Sequence, residues 1–141
     1  MTLLGGSIGE RRTPAALAAA NGIVATAATL KSSGPVDVIG DPESLSASPV
    51  DCLLARHASM ASCTTTWPAS TLLTYDSVES RAKQLGVGFI ATRGLVCYER
   101  SCPAVIGHTI AYWDNSHLSA AYALQVAGAF RAAFLRATAS G

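Results

Sequence analysis

Apolar residues in this chain occur partly in short runs rich in β-branched side chains, which predict strands. Residues 36–39 (Val-Asp-Val-Ile) form one such run, ended by Gly-Asp-Pro, and residues 87–91 form another. Leu3 and Leu4 are followed by a Gly-rich turn at residues 5–9, which predicts the end of a further strand at Leu4. Residues 105–106 and 109–113 are also predicted to be extended.

Longer apolar stretches with a spacing of three and four residues predict helices between these strands. The first covers residues 14–30, with Pro14 in its first turn, and the second covers 77–85, with Asp76 as N-cap and Gly86 as its end. The last begins after Ser119 as N-cap and runs towards Ala137. Its regularly spaced apolar positions are Ala120, Leu124, Ala127, Phe130, Phe134 and Ala137.

Strands separated by helices predict an α/β fold with a mainly parallel sheet covered on both faces. The 141 residues suffice for one domain, so residues 1–141 are treated as a single unit. Residues 43–67 are rich in Ser, Thr, Pro and Ala and are predicted to be a long surface loop, with one helical turn near Leu53.

Four cysteines form two local pairs, Cys52 with Cys63 and Cys97 with Cys102. Neither pair has zinc-finger spacing, so a metal site is not predicted. Two loop-closing disulfides fit better, and the first would pin the 43–67 loop. Disulfides favour an extracytoplasmic location, whereas four free thiols in a cytosolic protein are the alternative.

Composition excludes several classes of function. The chain is 50% hydrophobic and 13% charged, with a net charge of +1, so it has neither the composition of a disordered chain nor the basic surface of a nucleic-acid binder. No stretch has the hydropathy of a membrane span, and the Ala-rich run at residues 13–30 is interpreted as a helix rather than as a secretory signal, although Arg11 and Arg12 precede it.

The strongest chemical signal is Asp114-x-x-His117, on a tight turn between an extended run and the last helix. An Asp carboxylate that holds one imidazole nitrogen leaves the other free to take a proton from a serine hydroxyl. Trp113 precedes the motif and is interpreted as a packing residue, with the lining of an acyl or sugar pocket as the alternative.

The residues from Val36 onward resemble the second half of the SGNH-hydrolase-like domain fused to bacterial membrane O-acyltransferases, the acyltransferase-three family. The matching segments are residues 38–42, 51–53, Cys63, 97–107 and 112–123. In the last two, the cysteine pair, an Ile-Gly turn, Asp-x-x-His and the following helix occur in that order.

The resemblance implies a three-layer α/β sandwich outside the membrane that moves acyl groups, usually acetyl, onto cell-surface glycans. It implies that His117 is the general base and that Asp114 orients it, in a ping-pong transfer through a serine. Neither a metal nor an organic cofactor is implied. The implied partners are an acyl donor, a surface glycan and a membrane acyltransferase chain.

The family's Gly-Asp-Ser nucleophile motif has no counterpart in this sequence. Ser7, in Gly5-Gly6-Ser7, is either a variant nucleophile or an ordinary turn serine, and the second interpretation is favoured because too little chain separates it from the strand at Val36. The domain is therefore expected to be incomplete on its N-terminal side. Whether the chain is an enzyme stays open, and the alternative is a non-catalytic extracytoplasmic domain that binds a glycan or completes a partner chain.

Overall fold

The computed structural model describes residues 2–6 and 14–140, and these form an α/β arrangement of three small sheets and four α-helices. The strands are β1 (Thr2–Gly6), β2 (Val36–Gly40), β3 (Thr64–Thr66), β4 (Gly88–Ile90), β5 (Ser101–Pro103), β6 (Val105–Ile106) and β7 (Thr109–Ile110). The helices are α1 (Pro14–Leu30), α2 (Pro49–Leu53), α3 (Ala69–Gln84) and α4 (Ala120–Ser140), with short 3-10 helices at Lys31–Ser33 and Arg93–Leu95.

The central sheet is parallel, as predicted, with β2 between β1 and β4. Val38, in the middle of β2, lies opposite Leu4 on one side and Phe89 on the other. Because the three strands run in the same direction, their carboxyl ends meet at one edge of the sheet, the carboxyl edge. Ligands of open α/β sheets bind at such an edge.

Alternate residues of β2 face opposite layers of helices. Val36 and Val38 are buried with residues of α1 and α3 on one face. On the other face α4 packs against β4, and the carbonyl of Ala137 lies beside Gly88. Helices therefore lie on both faces of the parallel sheet, as in a three-layer sandwich.

The third helix is longer than predicted. It begins at Ala69 rather than at Ser77, and Asp76 lies in its interior instead of capping it. Tyr75, Val78 and Ala82 are buried along one face. This packing stabilises the first turns of the helix, where Ser and Thr residues interrupt the apolar spacing that would have predicted them. Helix α3 is followed, as expected, by Gly86 with a positive φ of 62°.

Residues 43–67 were predicted to be a surface loop, and this is wrong for part of the segment. Leu45 and Cys63 belong to a second apolar core, and β3 pairs antiparallel with β5. The pairing and the first disulfide hold the segment against the C-terminal half of the chain. The other buried members of this core are Val96, Cys102, Ala104, Ala111, Tyr112 and Tyr122.

The last helix begins where the sequence predicted. The Ser119 hydroxyl accepts a hydrogen bond from the Tyr122 N–H at 3.1 Å, as an N-cap does. The predicted apolar stripe is only partly covered, since Leu124 is 80% exposed whereas Ala137 is buried. Helix α4 therefore presents an apolar surface beside the sheet.

Candidate functional site at the carboxyl edge

The Asp114–His117 turn lies between β7 and α4. The Trp113 N–H donates to the His117 carbonyl at 2.7 Å, and the N–H groups of Ser116 and His117 both donate to Asp114 Oδ1 at 2.7 Å. An Asp side chain that binds the backbone two and three residues ahead stabilises a tight turn locally. The spacing of the motif therefore determines its shape.

The remaining carboxylate oxygen of this turn binds the imidazole. Asp114 Oδ2 lies 2.8 Å from His117 Nδ1. The N–H of Ser116, then the N–H and ring of His117, hold the pKa of Asp114 far below its usual range, so this carboxyl group stays ionised. An ionised Asp at Nδ1 favours the tautomer whose Nε2 accepts a proton. The His117 side chain is 78% exposed, which leaves Nε2 accessible.

Contacts from the second core anchor both ends of the turn. The Leu45 N–H donates to the Asn115 carbonyl at 2.6 Å, and the Tyr112 hydroxyl donates to the Glu43 carbonyl at 2.6 Å. On the helix side, the Ser119 hydroxyl donates to the Ile110 carbonyl at 2.6 Å. The segment after β2 therefore positions the Asp-His pair, although 69 residues separate Glu43 from Tyr112.

A buried carboxyl group lies in that same segment, and no pattern in the sequence predicted it. The Glu43 side chain is fully buried, and neither carboxyl oxygen has a hydrogen-bond partner among the described residues. Burial raises its pKa to about 7, against the attraction of Arg93 and together with the repulsion of Asp41. The Arg93 guanidinium contacts Asp76 at 3.2 Å and stacks on Tyr75 at 4.8 Å.

Two serines bear on the question of a nucleophile, namely Ser116, which lies within the Asp114–His117 turn, and Ser7, which the sequence suggested. Ser116 Oγ lies 3.3 Å from His117 Nδ1, the nitrogen that Asp114 already binds, and not on the Nε2 side. Ser116 is therefore not placed to give its proton to His117 Nε2. Ser7 lies outside the described residues.

Both cysteine pairs form disulfides. Cys52 binds Cys63, and Cys97 binds Cys102 across a turn in which Tyr98 and Ser101 exchange backbone hydrogen bonds of 2.9 Å. Over residues 2–6 and 14–140, no group of three or more His, Cys, Asp or Glu side chains is arranged to hold a metal ion. Within the same ranges no helix has the length and hydropathy needed to span a bilayer.

Trp113, predicted to be a packing residue, is 76% exposed, so that interpretation is wrong. The two other histidines, His57 and His108, are exposed as well.

Comparison with solved structures supports the fold. The periplasmic domain of a lipopolysaccharide acetyltransferase from Salmonella ser. Paratyphi A superposes with a TM-score of 0.55 at 17% sequence identity. The match covers 92% of this chain but 56% of that domain, so this chain spans little more than half of its length. No curated protein matches the sequence.

Comparison with family models identifies the family. The model of the SGNH domain fused to AT3 domains matches residues 4–132, which includes the segment before Val36 as well as the Asp114–His117 turn. This confirms the resemblance drawn from the cysteine pair and the Asp-x-x-His motif. The chain belongs to the family of SGNH domains that are fused to AT3 domains.

Proposed function

We propose that this chain is the acyl-transferring part of an extracytoplasmic O-acyltransferase, in which His117 is the general base and Asp114 orients it. The observation that carries the proposal is the 2.8 Å contact between Asp114 Oδ2 and His117 Nδ1, with an exposed ring. Family membership supports it, because domains of this family are fused to AT3 domains, which the resemblance identifies as membrane acyltransferases. The neighbour that shares its fold is named as a lipopolysaccharide acetyltransferase, which makes a surface glycan the proposed acceptor.

The proposed reaction has two half-reactions, each with a proton transfer at Nε2. A serine hydroxyl attacks the carbonyl carbon of the acyl donor, its proton passes to His117 Nε2, and the donor's leaving group takes that proton as it departs. A sugar hydroxyl then attacks the acyl-enzyme and gives its proton to the same nitrogen. An ester forms on the sugar and the serine takes the proton back, so no external oxidant or reductant is needed.

Two features suit the proposed location and acceptor. Disulfides persist in oxidising compartments, which supports a position outside the cytoplasm. The exposed Trp113 ring is next to Asp114 in the chain and offers a flat apolar face of the kind on which sugars stack. We propose that Trp113 contacts the acceptor.

The nucleophile is the decisive experimental question, and a fluorophosphonate probe detected by intact mass answers it. We expect labelling of the natural chain and its loss in His117→Ala, because the serine then has no base. Asp114→Asn should slow labelling by about 10²-fold or more. His108→Ala is the matched control, since His108 is exposed and lies outside the Asp114 turn.

Serine variants assign the reacting hydroxyl. Loss of labelling in Ser7→Ala identifies Ser7, and loss in Ser116→Ala identifies Ser116 despite its position at Nδ1. If the natural chain does not react at all, this chain is not catalytic by itself and the proposal in this form fails.

A second function is favoured by the exposed apolar surface of α4. Leu124 is 80% and Leu135 is 53% exposed. The chain matches only 56% of the structurally similar Salmonella domain. A non-catalytic domain that completes a partner's fold would bury such a surface. Absence of labelling, combined with a stable complex with a membrane acyltransferase chain, would support this alternative.

A further inference from the structure

An apolar cavity of about 370 Å³ lies beside the candidate site, between α4 and the carboxyl edge of the sheet, and it is open to solvent along α4, where Ala123 and Ala127 are exposed. Its volume is within the usual range of small-molecule pockets. The side chains that decide its shape are Ile39, Leu95, Leu118, Val126, Ala127 and Phe130.

The lining is matched to an aliphatic ligand. Thr92 is the polar side chain in the wall, and its hydroxyl already donates to the Gly40 carbonyl. A sugar hydroxyl turned towards this wall would find no hydrogen-bond partner there, which is unfavourable, whereas a hydrocarbon chain placed against it leaves water, which is favourable.

The position of the cavity connects it to the proposed chemistry. Leu118 follows His117 directly and lines the cavity, which continues along α4 from Ala123 to Phe130. Those eight residues span about 10 Å of helix. Ala123 and Ala127 leave room along this wall because their side chains are small.

We propose that this cavity binds the hydrocarbon chain of the acyl group and that the acyl group is longer than acetyl. The chain enters past Leu118 from the Asp114–His117 turn and lies against α4. The assignment of the ligand as an acyl group rests on the proposed function, whereas the preference for an aliphatic chain rests on the cavity itself.

Binding of two neutral probes tests the proposal without requiring catalysis. N-octanoylglucosamine and N-acetylglucosamine are titrated into the isotope-labelled chain and followed by NMR, below the concentration at which the octanoyl compound forms micelles. We expect the octanoyl probe to bind at least about 100-fold more tightly, because six additional methylenes leave water. The resonances that shift should include Ile39, Leu118 and Val126.

A pair of variants on α4 tests the location. Ala127→Phe fills the cavity and should abolish octanoyl binding. Ala132→Phe should not, because Ala132 is five residues further along α4, and its side chain therefore lies about 140° around the helix axis from that of Ala127. If Ala127→Phe does not fold, as judged by its NMR spectrum, Ala123→Leu takes its place. Equal affinity for both probes, or unchanged binding by the filled variant, overturns the proposal.

Two further outcomes separate this inference from its alternatives. If sedimentation shows a dimer that Ala127→Phe dissociates, a second copy occupies the cavity and the proposal is overturned. His117→Ala should keep full affinity for the octanoyl probe. If the chain binds the octanoyl probe but never reacts with a fluorophosphonate, the cavity proposal stands and the proposed catalytic function is refuted.

Discussion

Replacing Glu43 by Gln is expected to make this protein more stable at alkaline pH. The Glu43 carboxyl group is fully buried, and both of its oxygens are without hydrogen-bond partners among the described residues. Burial raises its pKa from 4.5 to about 7, and the nearby Arg93 charge does not compensate. Gln has nearly the same shape and cannot ionise.

The sign of the pH effect on stability follows from whether the folded or the unfolded chain holds the Glu43 proton. Between pH 4.5 and about 7 the folded chain keeps the Glu43 proton while the unfolded chain releases it, so the free energy of unfolding falls as pH rises. Above pH 7 the loss is complete and amounts to about 3 kcal/mol at most. The unpartnered amide hydrogens of Gln cost about 1 kcal/mol. The expected net gain for Glu43→Gln at pH 8 is therefore about 2 kcal/mol.

Urea unfolding followed by circular dichroism, with the disulfides intact, measures this difference at pH 5 and pH 8. Asp37, a second buried carboxyl group whose pKa burial raises, is present in both proteins and cancels in the comparison. Glu99→Gln, at an exposed position, is the control and should leave the difference near zero. If Glu43→Gln is equally destabilising at both pH values, Glu43 is ionised and well paired in solution, and the reasoning is refuted.

Two other stability predictions concern a glycine and a disulfide. Gly40→Ala should destabilise by about 1–3 kcal/mol, since a Cβ atom there would overlap the hydroxyl of the buried Tyr75, whereas Gly128→Ala, with open space around it, should stabilise α4 by about 0.5–1 kcal/mol. A thermal melt of both variants checks this, and a neutral Gly40→Ala would contradict the close contact. The double variant Cys52→Ser/Cys63→Ser should lose about 3 kcal/mol, because it frees a loop with a sequence separation of 11. Reduction of the natural chain is its control, and an unchanged melting temperature would show that the second core holds the segment without the disulfide.

Features that depend on neighbouring residues were predictable from the sequence. Helix α1 at Pro14–Leu30, the strand that begins at Val36 and the Ser119 N-cap all follow from spacing and from residues that start or end elements. The Asp114–His117 contact belongs to the same group, because an Asp three residues before a His on one turn reaches its ring without help from the rest of the chain.

Features that depend on distant residues were not predictable. The start of α3 was misplaced by eight residues, because Ser and Thr interrupt its first half, which packing of Tyr75 and its neighbours holds helical. The same applies to the second core under residues 43–67, which exists only because β3 pairs with β5.

The sequence by itself thus determined the alternation of elements, the cysteine pairs and the turn that joins Asp114 to His117, since each is encoded within a few residues. Only the tertiary structure decided that Glu43 is buried, that the segment after β2 anchors the Asp114–His117 turn, and that a cavity opens between the sheet and α4. Burial and cavities arise from the packing of elements far apart in the chain, and no local pattern records which of them meet.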